Sequence, residues 1–152
     1  MAGIVSYGAY IPLFRLGKAT AGWEGPSERA IANFDEDSVT MAVAALRDAL
    51  TTIDAATIDA LYFATTTQPY AEKQSASMIG WAANLQPDIF TVDCTDSLRA
   101  GTNALRLALD ATKAGSARHV AVVAADNRLA QPRSSFERTF GDGAASVVDG
   151  DD

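Results

Sequence analysis

The sequence predicts a single α/β domain, and three segments predict it. His119 to Ala125 is nearly all Val and Ala, and Ile58 to Thr65 is bulky and apolar; both suit strands buried on two faces. Leu98 to Lys113 has helix-forming composition almost throughout, with Ala100, Ala104, Ala108 and Ala111 recurring at steps of three and four. Strands that alternate with helices give an α/β layer architecture.

The remaining elements follow in order. Gly3 to Ile11 alternates small and apolar residues before Pro12 and reads as a strand, and Gly17 to Glu28 is a polar surface loop in which Trp23 stands out. Asp35-Glu36-Asp37-Ser38 offers caps and negative charge ahead of Val39, Val43, Leu46, Leu50 and Ile53, so an amphipathic helix starts there. Lys73 to Leu85 is expected as a helix with Met78, Ala82 and Leu85 on one face and Trp81 in the core, followed by a strand from Ile89 to Cys94. Gly115 marks the end of the alanine-rich helix, and Ala144 to Val148 is a short strand after the Gly141-Asp142-Gly143 turn. No repeat, low-complexity tract or interdomain linker interrupts the pattern.

Composition bounds the chemistry. The 152 residues fit one domain, and 48% hydrophobic content supplies a core. Twelve basic against nineteen acidic side chains give a net charge of -7, which disfavours nucleic acid or an anionic membrane as partner. One cysteine cannot form an internal disulfide, and one cysteine with one histidine cannot build a zinc site, so no metal and a reducing, cytoplasmic setting are expected. Met1-Ala2-Gly3-Ile4-Val5-Ser6 lacks the basic start and apolar run of a secretion signal, and no stretch approaches the ~20 apolar residues of a membrane span.

Local motifs exclude more than they assign. There is no Gly-x-x-x-x-Gly-Lys-Ser/Thr phosphate loop and no Gly-x-Ser-x-Gly elbow. Gly141-Asp142-Gly143-Ala144-Ala145-Ser146 is a poor dinucleotide fingerprint, because a strand follows it where a helix is needed. His119 opens a strand and suits a solvated role better than that of a general base. Cys94 ends a strand near a helix start, where the dipole lowers a thiol pKa; a small buried core residue is the plainer reading. Asp93, Asp96, Asp126 and Asp142 fall at strand ends or turns, where capping is a commoner use than a catalytic carboxylate pair.

The order of motifs is more specific than any one of them. Gly8-Ala9-Tyr10-Ile11-Pro12, Asp35 to Ala42, Pro69-Tyr70-Ala71-Glu72-Lys73, Asp88-Ile89-Phe90-Thr91, Arg99-Ala100-Gly101-Thr102 and Phe140-Gly141-Asp142-Gly143-Ala144 together resemble the microbial hydroxymethylglutaryl-CoA synthase family of the thiolase and ketoacyl synthase III superfamily. The resemblance runs over essentially the whole chain. It implies a thiolase-like half-fold, a mixed five-stranded sheet with helices on both faces, and makes residues 1–152 an N-terminal domain whose C-terminal half lies elsewhere. The family's catalytic histidine and its neighbouring asparagine belong to that other half.

The resemblance also locates the expected chemistry. The family's nucleophile segment reads approximately Asp-x-x-Phe-Ala-Cys-Lys-Ala-Gly-Thr, which lays Asp93 on its first residue and Leu98 on its cysteine. Its acid/base segment, like Gly-Ser-Glu-Ser-x-Pro-Tyr, falls on Ala64 to Tyr70 and puts Thr66 at the glutamate. Leucine cannot form an acyl-enzyme, and threonine does not titrate near neutrality. Three readings follow. The first is an acyltransferase-like or aldolase-like enzyme of lipid metabolism acting on acyl-CoA carbon–carbon bonds without the cysteine. The second is a non-catalytic acyl-CoA-binding or scaffold subunit, and the third an enzyme in which Cys94 is the nucleophile after all. A coenzyme A thioester is the expected substrate, with no tightly bound cofactor. The partners implied are a second copy, the C-terminal half, or a zinc-ribbon and OB-fold protein such as accompanies cysteine-free relatives. The half-fold further predicts an exposed small-residue face on the Leu98 helix and a pairing edge at Ile89 to Cys94.

Overall fold

A computed structural model describes residues 3–151, so any reading that rests on Met1 or Ala2 lies outside the described residues. Five strands form one sheet in the order β1-β7-β6-β4-β5: β1 Gly3–Tyr10, β4 Ala60–Ala64, β5 Phe90–Cys94, β6 His119–Asp126 and β7 Gly143–Gly150. β4 runs parallel to both β5 and β6, whereas β7 is antiparallel to β6 and β1, so the sheet is mixed. Helices α1 Ser38–Ala49 and α2 Ser75–Ala82 cover one face, and α3 Ala100–Ala114 covers the other.

Each helix begins and ends for a local reason. The Asp37 carboxylate accepts from Thr40 N at 2.7 Å while the Asp37 N–H donates to Thr40 Oγ1 at 2.8 Å, a reciprocal cap that starts α1. α3 stops where Gly115 takes φ 73°, the left-handed conformation glycine adopts without penalty. β1 passes so close to the end of α1 that a Cβ on Gly8 would sit 2.3 Å from Ala49 N, so only glycine fits.

The core lies in two unequal layers. Against α1 and α2 the sheet buries Leu61, Phe63, Ala121, Val123 and Ala125 with Met41, Leu46 and Ile79. Against α3 it buries Ala60, Tyr62, Ala64, Val120 and Val122 with Ala100, Ala104 and Ala108. All five β4 residues are buried, as expected of a strand covered on both faces.

Three expectations are corrected. The 17–28 loop is flanked by a small hairpin, β2 Phe14–Leu16 with β3 Arg29–Ile31, whose three-residue strands are too short to show a pattern. α2 turns Ala76, Ile79 and Gly80 inward, leaving Met78 and Ala82 half-buried and Trp81 78% exposed instead of in the core. Apolar residues run all round this two-turn helix, so periodicity selects no face. Its rotation is set by Asp93, which accepts from Ser75 N and Ala76 N at 2.7 Å each. Finally, the alanines of α3 face the sheet; its outer face carries Thr102, Asn103, Arg106 and Leu107, so the predicted exposed small-residue surface is absent there. Close packing on the sheet consumes the small side chains.

Candidate functional site

The parallel strands β4, β5 and β6 all end at one edge of the sheet, which is where ligands enter open α/β sheets. β4 leads into Thr65-Thr66-Thr67, and β5 leads through Thr95 to Arg99 into α3. Asp96 in that turn has φ 61°. Asp126 ends β6. These ends enclose a cavity of about 90 Å³ lined by Ala64, Thr65, Thr66, Ser97, Leu98, Gly101 and Asp126 among others. The two positions that the resemblance assigns to chemistry, Thr66 and Leu98, therefore meet at one site although they lie 32 positions apart in the chain. Leu98 is 82% exposed, an apolar side chain presented to solvent.

Asp126 organises the opposite wall. Its Oδ1 accepts from Thr66 N at 2.7 Å, Thr66 Oγ1 at 3.1 Å, Thr65 Oγ1 at 3.0 Å and Thr67 Oγ1 at 3.0 Å. Thr67 Oγ1 also accepts from Asn127 N, and Thr67 O accepts from Ser38 Oγ at 2.8 Å, so the segment is tied to both β6 and α1. Sequence reasoning missed this hub. A signal was present, in three consecutive hydroxyls after one buried strand and an aspartate at the end of its neighbour.

The other candidates lie apart. Cys94 is half-buried against the alanine layer and does not line the cavity. Burial first, and then the charge of Asp93, push its thiol above the ordinary range, the reverse of activation. His119 is at the far end of the sheet, its Nδ1 3.3 Å from Thr57 O and its N–H donating to Asp59. Asp93 caps α2, Asp142 accepts from Ala32 N at 2.8 Å, and Asp96 accepts from Thr95 Oγ1 at 3.2 Å. Capping and turn formation account for Asp93 and Asp96, Asp142 ties its turn to the residue after β3, and Asp93 and Asp126 serve separate segments. Among the described residues no group of three or more His, Cys, Asp or Glu is placed to hold a metal. No helix among them is long and apolar enough to cross a membrane.

A second, wide-open and shallow cavity of about 350 Å³ adjoins the first and shares Ala124 and Asp126 with it; Gly141 to Ala145 line its other side. The segment leading there carries Arg128, Arg133 and Arg138 in an otherwise acidic chain. It includes the short helix α4 Ser135–Thr139. Arg128 lies 4.7 Å over the Phe140 ring, and Arg138 pairs with Glu24 at 3.5 Å.

Comparison with known proteins agrees with the architecture. No protein-family model matches the chain. It is 36% identical to the hydroxymethylglutaryl-CoA synthase of Pyrococcus furiosus over 98% of its own length and 45% of that protein's. To the same enzyme of Methanocaldococcus jannaschii it is 31% identical, over 99% and 48%. Among solved structures, the priming β-ketosynthase of the R1128 polyketide pathway matches with a TM-score of 0.89 at 27% identity, covering all of this chain and 50% of that one. A 3-oxoacyl-(acyl-carrier-protein) synthase III matches at 0.87 and 23%, covering 99% and 50%. The chain is thus a homologue of hydroxymethylglutaryl-CoA synthases on the thiolase-like ketosynthase III fold, and it spans about half the length of those relatives.

Proposed function

We propose that the chain supplies one half of an acyl-CoA site, in a synthase-like protein that makes or cleaves carbon–carbon bonds without a cysteine nucleophile. The observation that carries the proposal is the meeting of Thr66 and Leu98 in one cavity at the carboxyl edge of the sheet. The frame that positions a reacting acyl group is present, and the two side chains that would attack it and move its proton are replaced. Leucine offers neither lone pair nor proton, so no acyl-enzyme forms there. Cys94 does not take over, because burial and the Asp93 charge raise its thiol pKa and it lies outside the cavity. Chemistry then rests on groups from the complementary half, with this chain shaping the cavity and excluding water.

Two features support an acyl-CoA ligand. The cavity beside Leu98 is small and mostly lined by short side chains, suited to a short acyl group. The segment between Asp126 and the Gly141 to Ala145 wall carries Arg128 and Arg133 besides the Glu24-paired Arg138, a local positive charge in an acidic chain that suits an anionic carrier. Residues 1–152 act as the N-terminal half-domain, in the cytoplasm, completed by a C-terminal half or a partner chain. β5 ends the sheet order with one side unpaired, which supports assembly of two copies by strand pairing at that edge. The double replacement at Thr66 and Leu98 also favours a second reading, a non-catalytic acyl-CoA-binding or scaffold subunit of the same fold.

One experiment separates the two. The chain is joined with its complementary half, and turnover of acyl-CoA is compared for the native pair and for Leu98→Cys with Thr66→Glu. Turnover by the native pair supports the enzyme. Turnover only after restoration supports the binding subunit, and no acyl-CoA bound by either form rejects both.

A further inference from the structure

Asp126 is a carboxylate with its two oxygens in different circumstances. All four donors from Thr65, Thr66 and Thr67 converge on Oδ1, and none of them reaches Oδ2. The residue is only half-buried and lines both the 90 Å³ cavity beside Leu98 and the 350 Å³ cavity at the 141–145 turn. A side chain held this firmly through one oxygen cannot swing away, so the other oxygen keeps a fixed place at the junction of the cavities.

From this geometry we infer that Asp126 is a specificity-determining residue: its Oδ2 receives a hydrogen bond from an N–H or O–H donor of the acyl-CoA close to the thioester. It stands at the wall where Thr66 replaces the family's glutamate, and it restores a negative charge to the cavity by way of β6. The inference rests on the acyl-CoA reading above. Two sources carry the required donor: an amide of the pantetheine arm, and a hydroxyl on the acyl chain.

The test compares native protein, Asp126→Asn and Thr67→Val by calorimetric titration with butyryl-CoA and with 3-hydroxybutyryl-CoA. Asparagine retains an Oδ1 acceptor for the threonines while removing the charge. Thr67→Val removes one bond of the hub, and the acceptor of the Asn127 N–H, from a residue that does not line the small cavity. Asp126→Asn is expected to weaken binding about tenfold, the loss of one charge-assisted hydrogen bond, with Thr67→Val close to native. Weakening of both ligands places the donor in the pantetheine arm, and weakening of the hydroxyacyl ligand alone places it on the acyl chain. In parallel, the Asp126 carboxyl carbon resonance is expected to move on ligand addition. If Asp126→Asn binds like native, or both variants weaken equally, Asp126 is only a structural hub and the inference is overturned while the acyl-CoA reading stands. If native protein binds neither ligand, that reading itself fails and this inference with it.

Discussion

The two faces of the sheet are built on opposite plans. The α1 and α2 face is filled by large side chains, Met41, Leu46, Phe63 and Ile79, each fully buried. The α3 face is filled by Ala100, Ala104 and Ala108 against Tyr62 and the shorter Ala60, Ala64, Val120 and Val122, with Leu107 of the helix and Leu98 in the turn before it left exposed. Burial scales with apolar area, so the first face supplies most of the domain's stability. The second trades area for close approach, which holds α3 near the sheet with its first turn beside the cavity. One face is the foundation, and the other carries the site.

This contrast is tested by substitution. Phe63→Ala empties the larger layer and is expected to cost about 3–5 kcal/mol, read from chemical denaturation. A cost near that of a surface change would end the claim that this face carries the stability. Ala104→Leu overfills the smaller layer; a cost of about 1–3 kcal/mol is expected, together with displaced amide resonances around Leu98 as α3 is pushed outward. Unmoved resonances would mean that close packing does not place the site.

Smaller effects sharpen the picture at the far end of the strands. Burial acts to raise the Asp59 pKa, yet the N–H groups of Arg118 and His119 and the nearby positive charge outweigh it and hold the carboxyl below its usual range. Such a group stabilises the fold above the ordinary carboxylate range and loses that contribution as pH falls through its lowered value. Asp59→Asn should therefore lower Tm at neutral pH, with the gap to native closing in acid; a gap that widens in acid would reverse the assignment. Leu107→Ala, on the exposed side of α3, should change the stability of the chain alone by no more than about 0.5 kcal/mol. A markedly larger cost in the joined two-half protein would show that the complementary half covers this face.

Much of the frame was legible in the residues. The Val and Ala run of β6, the apolar β4, the Asp37 cap and the Gly115 stop are local signals, and each element stands where those signals put it. What sequence reading lost depends on tertiary context. A tryptophan among apolar neighbours usually packs in the core, but Asp93, distant in sequence, fixes the rotation of α2 and turns Trp81 outward. The alanines of α3 announced close packing but not which surface they would meet. At the candidate site, motif order singled out Thr66 and Leu98, which line one cavity. The hub at Asp126 emerged only with the register that sets Ala64 of β4 opposite Ala124 of β6, two residues before Asp126.

The central claim is that this chain handles an acyl-CoA without forming a thioester of its own. Mass spectrometry of the joined two-half protein with acetyl-CoA, under native and then denaturing conditions, tests it most directly. The account predicts a complex that survives native conditions and leaves this chain unmodified once denatured. An acetyl group retained after denaturation and mapped to Cys94, or no complex at all, would contradict it.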